Sequence, residues 1–327
     1  SRNKITEGSS GTLDHANTLN QLLTEIDGMK KDNIYIIGAT NRFESLDSAL
    51  IRSGRLEDHF IISLPTISQR YEMFTLFLKN KKIDADVNLD HLSYKTNGYS
   101  GAQIEHFVNT AAIISLVLGH ATIQMSDFQE AYTNIEHGRE VLNSSVTEQE
   151  LRETAIHEIG HTLCALMQPQ SPWTLDIITI VPREGGSLGH NSFFFKKEFN
   201  IFNKEEIKAL ITCFLGGYNA EKIFMGSTTS GVSSDFEAAS NLAYRMVKLF
   251  GMSNNGTLYV DTHSKGVPTD EERAEIEAIL QECNQRAFDI INQNKEMVEA
   301  LVNELLRKKT ITKHDVLNII AHYRKDI

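Results

Sequence analysis

The sequence predicts a multidomain fold that is α/β at its N-terminal end and mostly α-helical after it, with one small sheet. Three observations predict this class. Two short apolar runs end in Gly or Pro before residue 66, helical periodicity dominates from residue 68, and a Gly-rich turn separates two strand-like runs near residue 185. The 327 residues, 41% of them hydrophobic, are enough for two or three domains with their own cores.

The predicted N-terminal elements are one helix and two strands. Apolar residues recur at helical spacing over residues 14–29, and Gly28 ends the pattern. The run NIYIIGATN, residues 33–41, is typical of a buried parallel strand whose C-terminal tip carries functional side chains. The run HFIISLP, closed by Pro65, is interpreted as a second strand.

Helical patterns fill most of the remaining chain. Over residues 68–137 they predict a small helical domain, whose last helix should begin at a capping box of Ser126 and Gln129. A second capping box, Thr147 with Glu150, predicts the start of a helix that follows a polar linker. Further helices are expected at 204–225, at 234–250 and from about 269 to the end, with starts at Thr269 and Thr312.

Charge and composition exclude several classes of protein. The formal net charge of −11 leaves no basic face for nucleic acid. Three cysteines far apart in the chain fit a reducing compartment and give no disulfide framework. The most apolar run, Ala111 to Gly119, is about half as long as a bilayer span, so no transmembrane segment is expected. The polar N-terminus lacks a signal peptide and fits a loop inside a longer protein.

The stretch HEIGH has the spacing of a zinc peptidase site. His157 and His161 lie one helical turn apart on one face of a helix, where two imidazoles can bind one metal ion. If zinc binds there, Glu158 would be the general base that activates the attacking water. The alternative is a helix turn without a metal. Apolar neighbours such as Ile159 and Leu163 make the helix a buried one, which favours the metal.

A catalytic zinc takes three protein ligands, so two histidines are an incomplete site. The best candidate for the third ligand is Asp235, because it follows a Gly- and Ser-rich turn that meets a helix. By itself Asp235 is better explained as a carboxylate that the dipole at a helix N-terminus favours. From the residues alone, the third ligand therefore stays open.

A family resemblance extends over nearly the whole chain. HEIGH, IVPREGGSLG, FLGGYNAEKIFMG and TTSGVSSDFEAASNLAYRMVKLFGMS together resemble the peptidase domain of the FtsH family of ATP-dependent zinc metalloproteases. TLNQLLTEIDGM, GATNRFESLDSALIRSGRLE and GYSGAQIEHFVNTAA resemble the second half of the AAA+ ATPase module of that family. The resemblance implies the C-terminal part of an AAA+ α/β subdomain over 1–65, a helical AAA+ lid over 66–140, a linker over 141–146 and a mostly α-helical zinc peptidase domain with a small sheet over 147–327.

The resemblance also implies roles for single residues. His157, His161 and Asp235 match the zinc ligands, and Glu158 matches the catalytic glutamate. The ATP-related positions that the resemblance implies are the sensor residue Asn41 and the arginine fingers Arg52 and Arg55. Without the resemblance, both arginines would be interpreted as surface residues. The implied cofactors are Zn²⁺ and, in the complete protein, ATP with Mg²⁺.

Two features of that family are missing from the sequence. No segment matches the phosphate-binding pattern GxxxxGK[ST], and the aromatic pore loop is absent. Glu25 and Asp27 resemble a Walker B run, but they lie in a helical pattern and are interpreted as helix-surface carboxylates. We therefore expect that the chain starts after the Walker B position of the family and does not hydrolyse ATP alone.

The function that the resemblance implies is an ATP-dependent zinc endopeptidase that degrades unfolded or misfolded proteins, including membrane proteins. It implies a homo- or hetero-hexamer, anchored by segments outside this chain in a bacterial inner, mitochondrial or chloroplast membrane. Two alternatives stay open: an inactive AAA+ scaffold or chaperone, and a zinc peptidase uncoupled from ATP. An extended substrate could pair with an edge formed by Ile177 to Val181 and residues 187–189, or these could form an ordinary internal hairpin.

Overall fold

The computed structural model describes residues 10–28, 34–142, 145–195, 197, 201–253 and 267–324. The chain forms two compact units, Ser1–Ser63 and Leu64–Ile327. The predicted linker over 141–146 falls partly outside the described residues.

The first unit contains one long helix and a series of turns. Helix α1, Ser10–Gly28, confirms the predicted N-terminal helix. Near its end, Asp27 accepts a two-point hydrogen bond from Arg55, with Nε to Oδ1 at 3.1 Å and Nη2 to Oδ2 at 2.6 Å. The third guanidinium nitrogen of Arg55, Nη1, donates to the carbonyl of Ala49 at 2.7 Å. These bonds tie the turn that carries the predicted arginine fingers to α1.

The two strands predicted in this unit are not formed. Residues 34–40 and 57–63 have no regular secondary structure and no ladder partner among the described residues. Their apolar side chains are open to solvent: Tyr35 and Ile37 are each 93% exposed. An apolar run becomes a β-strand only when a neighbouring strand supplies its backbone hydrogen bonds. The apolar pattern alone is therefore not sufficient to predict a strand.

The second unit begins with a helical subdomain, which confirms the predicted lid. Its helices are α2 Ile67–Leu78, α3 Leu89–Lys95, α4 Gly101–Leu118 and α5 Met125–His137. Phe74, Phe107 and Phe128 are fully buried at its centre. The predicted capping box at Ser126 is wrong, because α5 begins at Met125 and the Asp127 carboxylate accepts from the backbone N–H of Gln124 at 2.8 Å.

Helix α4 is long and apolar enough to cross a membrane by length and composition, with a mean hydropathy of 1.2. A core helix of a globular domain passes the same test. Ile104, Phe107, Val108 and Ala111 of α4 are fully buried in the lid core. Packing accounts for these residues, whereas Ile113 and residues 116–118 near the end of α4 are apolar and exposed.

The rest of the second unit is mostly helical. Its helices are α6 Glu148–Leu166, α7 Lys204–Met225, α8 Ser233–Lys248, α9 Asp270–Gln293, α10 Lys295–Lys308 and α11 Lys313–Tyr323. The predicted starts at Thr147, Thr269 and Thr312 are confirmed, each with a capping box. The helical stretch expected from about residue 269 to the end is formed, but it has one break that was not predicted, at Asn294; a second break, at Lys309 with a φ of 64°, precedes the predicted start at Thr312.

A three-stranded antiparallel sheet packs beside α6. It consists of β1 Trp173–Thr179, β2 His190–Phe195 and β3 Thr310–Thr312, in the order β2-β1-β3. Because β1 pairs with β2 on one side and with β3 on the other, the substrate edge expected at Ile177 to Val181 is wrong, and the alternative of an internal hairpin is confirmed. The register between β1 and β2 shifts between Leu175 and Ile177. The residue at this irregularity, Asp176, contacts the lid.

Buried charges join the lid to the sheet. Lys95 of α3 is ion-paired with Asp176 of β1, and each side chain is only 2% exposed. His91 lies 3.1 Å from the same carboxylate. Arg183, which follows β1, is paired with Glu130 of α5 at 2.8 Å. The lid and the sheet therefore share a buried polar contact.

Helices α6 and α7 cross at two glycines. A Cβ atom added to Gly160 would lie 2.5 Å from the carbonyl oxygen of Gly216, and one added to Gly216 would lie equally close to the carbonyl oxygen of Gly160. Only glycine permits so close an approach of two backbones. The crossing brings the histidine face of α6 against α7.

Candidate metal centre and active site

The centre of the site is the face of α6 that carries both histidines. His157 and His161 are one turn apart, and their Nε2 atoms lie 2.9 Å from each other. The helix that holds them starts at the Thr147 capping box, and Ala155, Ile159 and Leu163 are buried on its apolar side. Helical spacing within α6 thus determines the relative positions of the two imidazoles.

Asp235 completes a triangle with these two nitrogens. It lies in the first turn of α8, and its Oδ2 atom is 3.2 Å from Nε2 of His157 and 3.3 Å from Nε2 of His161. Ligand atoms bound tetrahedrally at about 2.0–2.1 Å from zinc lie roughly 3.3 Å apart. The donor set and its spacing therefore fit zinc. Among the described residues, these three form the group that could hold a metal ion.

The remaining ring nitrogens are also engaged. Nδ1 of His157 lies 2.8 Å from Oε1 of Glu221, and Nδ1 of His161 lies 2.7 Å from the carbonyl oxygen of Cys213. Both acceptors favour a proton on Nδ1, which leaves the Nε2 lone pairs free to bind a metal. Sequence reasoning missed Glu221, whose one signal was a carboxylate in the buried pattern of α7.

The carboxylates make the site attractive to a cation. Burial alone would lower the pKa of His157, but hydrogen bonds to Asp235 and Glu221 raise it to about 10. Burial opposes ionisation of Asp235, yet hydrogen bonds from both histidines hold the pKa of its carboxyl well below the usual range. Protons and metal ions would therefore compete for the same nitrogens.

Glu158 lies beside this triangle. Its side chain is buried, and burial raises the pKa of its carboxyl. The Oε2 atom accepts a hydrogen bond from Nδ2 of Asn191 at 2.7 Å. Glu158 is thus fixed from β2, at the wall of the cavity that holds the histidines and Asp235.

Comparison with known proteins identifies the family. The model of peptidase family M41 matches residues 144–319, which include the histidines, Glu158 and Asp235. This chain belongs to that family. Two further models match it, the ATPase family associated with various cellular activities (AAA) over residues 3–64 and the AAA+ lid domain over residues 86–130. The resemblance to FtsH proteases is thereby confirmed.

Curated relatives of this M41 chain are named as FtsH proteases. "ATP-dependent zinc metalloprotease FtsH 2" of Phytoplasma mali is 35% identical over 327 residues, covering 96% of this chain and 47% of the relative. The protein of the same name from Thermoanaerobacter sp. is 36% identical over 300 residues, covering 91% and 58%. "ATP-dependent zinc metalloprotease FtsH" of Chlamydia trachomatis is 34% identical over 322 residues, covering 93% and 35%. The chain spans about half the length of the first two relatives.

The M41 site opens into a large cavity. Its volume is about 800 Å³, and α6, β2 and the turn before β2 supply much of its wall. Trp173, Phe193 and Phe214 form an aromatic side, with the first two rings stacked 4.8 Å apart. Of the phenylalanines at 193–195, the first lines the cavity, whereas Phe194 contacts His91 and Phe195 contacts Phe202.

The predicted ATP-related residues lie in the first unit. Asn41 and Arg52 are exposed at turns, while Arg55 bonds to Asp27 as described above. No described hydrogen bond joins Asn41 to either arginine. The M41 chain therefore assembles the predicted metal and glutamate residues into one site. Of the ATP-related residues, Arg52 and Arg55 share one turn, in which the backbone N–H of Arg55 donates to the carbonyl of Arg52 at 3.1 Å.

Proposed function

We propose that this chain is a zinc-dependent endopeptidase, with His157, His161 and Asp235 as the zinc ligands and Glu158 as the general base. The observation that carries the proposal is the triangle of two Nε2 atoms and one Oδ2 atom, with sides of 2.9 to 3.3 Å, beside a buried glutamate. Membership of peptidase family M41 supports the same reaction.

Each residue has a distinct part in peptide hydrolysis. Zinc, when bound, supplies an acidified water and polarises the carbonyl of the scissile bond. Glu158 takes the proton of the attacking water and returns it to the nitrogen of the leaving amine. Glu221 and the carbonyl of Cys213 hold the two imidazoles in the orientation that directs Nε2 to the metal.

The proposed substrate is an unfolded polypeptide in extended conformation. Strand β2 pairs only with β1 among the described residues, so its other edge could accept the substrate as an added strand. Asn191 and Phe193 of β2 line the cavity beside Glu158. The aromatic side with Trp173 offers an apolar surface to a substrate side chain.

The complete protein is proposed to couple this reaction to ATP. The named relatives are ATP-dependent, and AAA and lid models match the N-terminal part of this chain. In that proposal Asn41 orients the water that attacks ATP, and Arg52 and Arg55 reach the nucleotide and Mg²⁺ site of a neighbouring subunit. Membrane anchoring outside this chain and a homo- or hetero-hexamer belong to the same proposal.

The proposed domain boundaries follow from this assignment. They are an AAA+ α/β part over 1–65, the lid over 66–140, a linker over 141–146 and the peptidase domain over 147–327. Limited proteolysis with mass analysis of the fragments tests them, and cleavage should concentrate near residue 145.

The deciding experiment compares wild type with Glu158→Gln on a short unstructured fluorogenic peptide, with zinc content measured by elemental analysis. We expect about one zinc per chain in both proteins and a loss of about 100-fold or more in turnover in the variant. Equal turnover would rule out Glu158 as the base. A zinc-loaded wild type that cuts no peptide would favour the scaffold alternative, and cutting without ATP would fit a peptidase that needs ATP only for folded substrates.

A further inference from the structure

Asn191 makes unusually direct contact with the proposed general base. It is the second residue of β2, and its Nδ2 donates to Oε2 of Glu158 at 2.7 Å and to the backbone carbonyl of Glu158 at 2.9 Å. Both protons of one amide group are therefore directed at one residue. No pattern in the sequence indicates a role for Asn191.

The orientation of this amide is fixed from its other end. Oγ1 of Thr162 donates to Oδ1 of Asn191 at 2.9 Å, and Thr162 is fully buried. Thr162 follows Glu158 by four residues on α6, so both side chains present the same face to β2. Because the Asn191 oxygen already accepts from Thr162, its nitrogen is the group that faces the carboxylate.

Gly189, just before β2, constrains the stem of the same glutamate. A Cβ atom added to Gly189 would lie 3.3 Å from Cγ of Glu158 and 2.6 Å from Cγ2 of Thr154. The backbone of this turn therefore packs directly on the Glu158 side chain. The stem of Glu158 meets the turn and its carboxylate meets Asn191, which leaves the side chain little rotational freedom.

We propose that Asn191 is a positioning residue for hydrolysis. By holding Oε2 of Glu158, it directs the other oxygen, Oε1, toward the cavity, where it can take the proton of the attacking water. A carboxylate held in advance needs no reorganisation during the reaction, and misplacement by about 1 Å can cost about 100-fold in rate. This inference rests on the proposed role of Glu158 as general base.

The test measures kcat and KM of zinc-loaded full-length Asn191→Asp on the unstructured peptide. The substitution keeps the shape of the side chain but turns the donor into an acceptor that repels Glu158. We expect kcat to fall about 10- to 100-fold while KM stays within about twofold and zinc content is unchanged. A high-resolution structure of the variant should show Glu158 in a different side-chain orientation. Asn303→Asp, the same change at an exposed position on α10, is the control and should leave both constants unchanged.

A second variant keeps the inference open to refutation if Asn191→Asp unfolds or loses zinc. Thr162→Val retains Asn191 and removes only the donor that orients it, so kcat should again fall at constant KM and zinc content. An unchanged kcat in either variant, provided that this variant is folded and zinc-loaded, would overturn the inference. Glu158→Gln in the same assay separates the two claims. If it is inactive while Asn191→Asp is fully active, only the role of Asn191 fails, whereas an active Glu158→Gln removes the proposed function itself.

Discussion

Oε1 of Glu221 lies 2.8 Å from Nδ1 of His157, and this carboxylate connects the two halves of the metal centre. Oε2 of the same group accepts from the backbone N–H of Thr229 at 2.6 Å, and Oε1 accepts from the Thr229 hydroxyl at 3.1 Å. Thr229 caps the short turn that leads into α8 and Asp235. One buried side chain on α7 therefore orients a ligand on α6 and holds the loop before the third ligand.

Glu221→Gln should weaken zinc binding without removing a ligand. The amide keeps the size of the side chain but loses the charge that supports the Nδ1 proton of His157, and such changes typically cost about 10- to 100-fold in metal affinity. Competition with a chromogenic chelator measures the affinity. Glu299→Gln, in an exposed pair with Arg152, serves as the control. Equal affinities for wild type and Glu221→Gln would contradict the orienting role.

Asp235→Ala tests the third ligand directly. Wild type should retain about one zinc per chain after dialysis, and the variant should retain clearly less, because two imidazoles leave the coordination incomplete. Elemental analysis gives the ratio. Asp289→Ala, on an exposed part of α9, removes a carboxylate far along the chain and should not change the zinc content. Full zinc retention by Asp235→Ala would mean that another residue completes the site.

Gly217→Ala should disrupt the metal centre from the opposite helix. A Cβ atom at this position would lie 2.7 Å from Nε2 of His161 and 2.6 Å from Cε1 of His157. Both rings would have to move, so zinc content should fall even though no ligand is changed. Gly101→Ala at the start of α4 is the control, because its added Cβ would meet only the flexible Met73 side chain at 3.6 Å. A zinc content equal to wild type in Gly217→Ala would show that the site can relax.

These positions show which parts of the site the sequence could predict. His157, Glu158 and His161 share one helix, so their geometry follows from helical spacing alone. Asp235 could be assigned only through family resemblance, because its distance from α6 depends on how α7 and α8 pack. Gly217 was not predicted as part of the site. A sequence pattern shows which face of a helix is apolar, but it does not show which other helix that face packs against.

For the fold too, local features could be predicted from the sequence and contacts between distant segments could not. The helix starts at Thr147, Thr269 and Thr312 are local signals and were confirmed. Strand pairing is not local, which is why the expected edge at Ile177 is the middle of the sheet. The break at Asn294 could not be predicted, because the segments before and after it both have helical periodicity.

Breaking the buried pair of Lys95 and Asp176 should strongly destabilise the protein, although the pair itself contributes little net stability. Asp176→Ala leaves the Lys95 ammonium buried without its partner, and such losses cost about 3–5 kcal/mol in the free energy of unfolding. Replacing both residues together, Lys95→Met with Asp176→Leu, should cost much less. Denaturant unfolding of the three proteins measures this. A double variant as unstable as Asp176→Ala would contradict the explanation by unpaired charge.

The same pair predicts a pH dependence of stability. Burial alone would raise the pKa of Asp176, but hydrogen bonding to His91 and the charge of Lys95 lower it from 3.8 to about 2. A depressed folded-state pKa gives stability that is complete above the unfolded-state value and lost as the pH falls through the folded-state value. The stability of wild type relative to Asp176→Asn should therefore be constant above about pH 5 and decline by about 2 kcal/mol between roughly pH 4 and pH 2. Unfolding curves at several pH values check this, and a difference that is independent of pH would contradict it.

The triangle of ligand atoms joins α6 to α8, two helices that are separated in the chain by strands β1 and β2 and by all of α7. A divalent ion bound there would close that long loop as a reversible cross-link. Such a link removes conformations from the unfolded chain and stabilises the folded one by mass action. Chelation should thus act on this protein as the reduction of a disulfide acts on a secreted domain, lowering the melting temperature at the same zinc concentrations at which catalysis is lost.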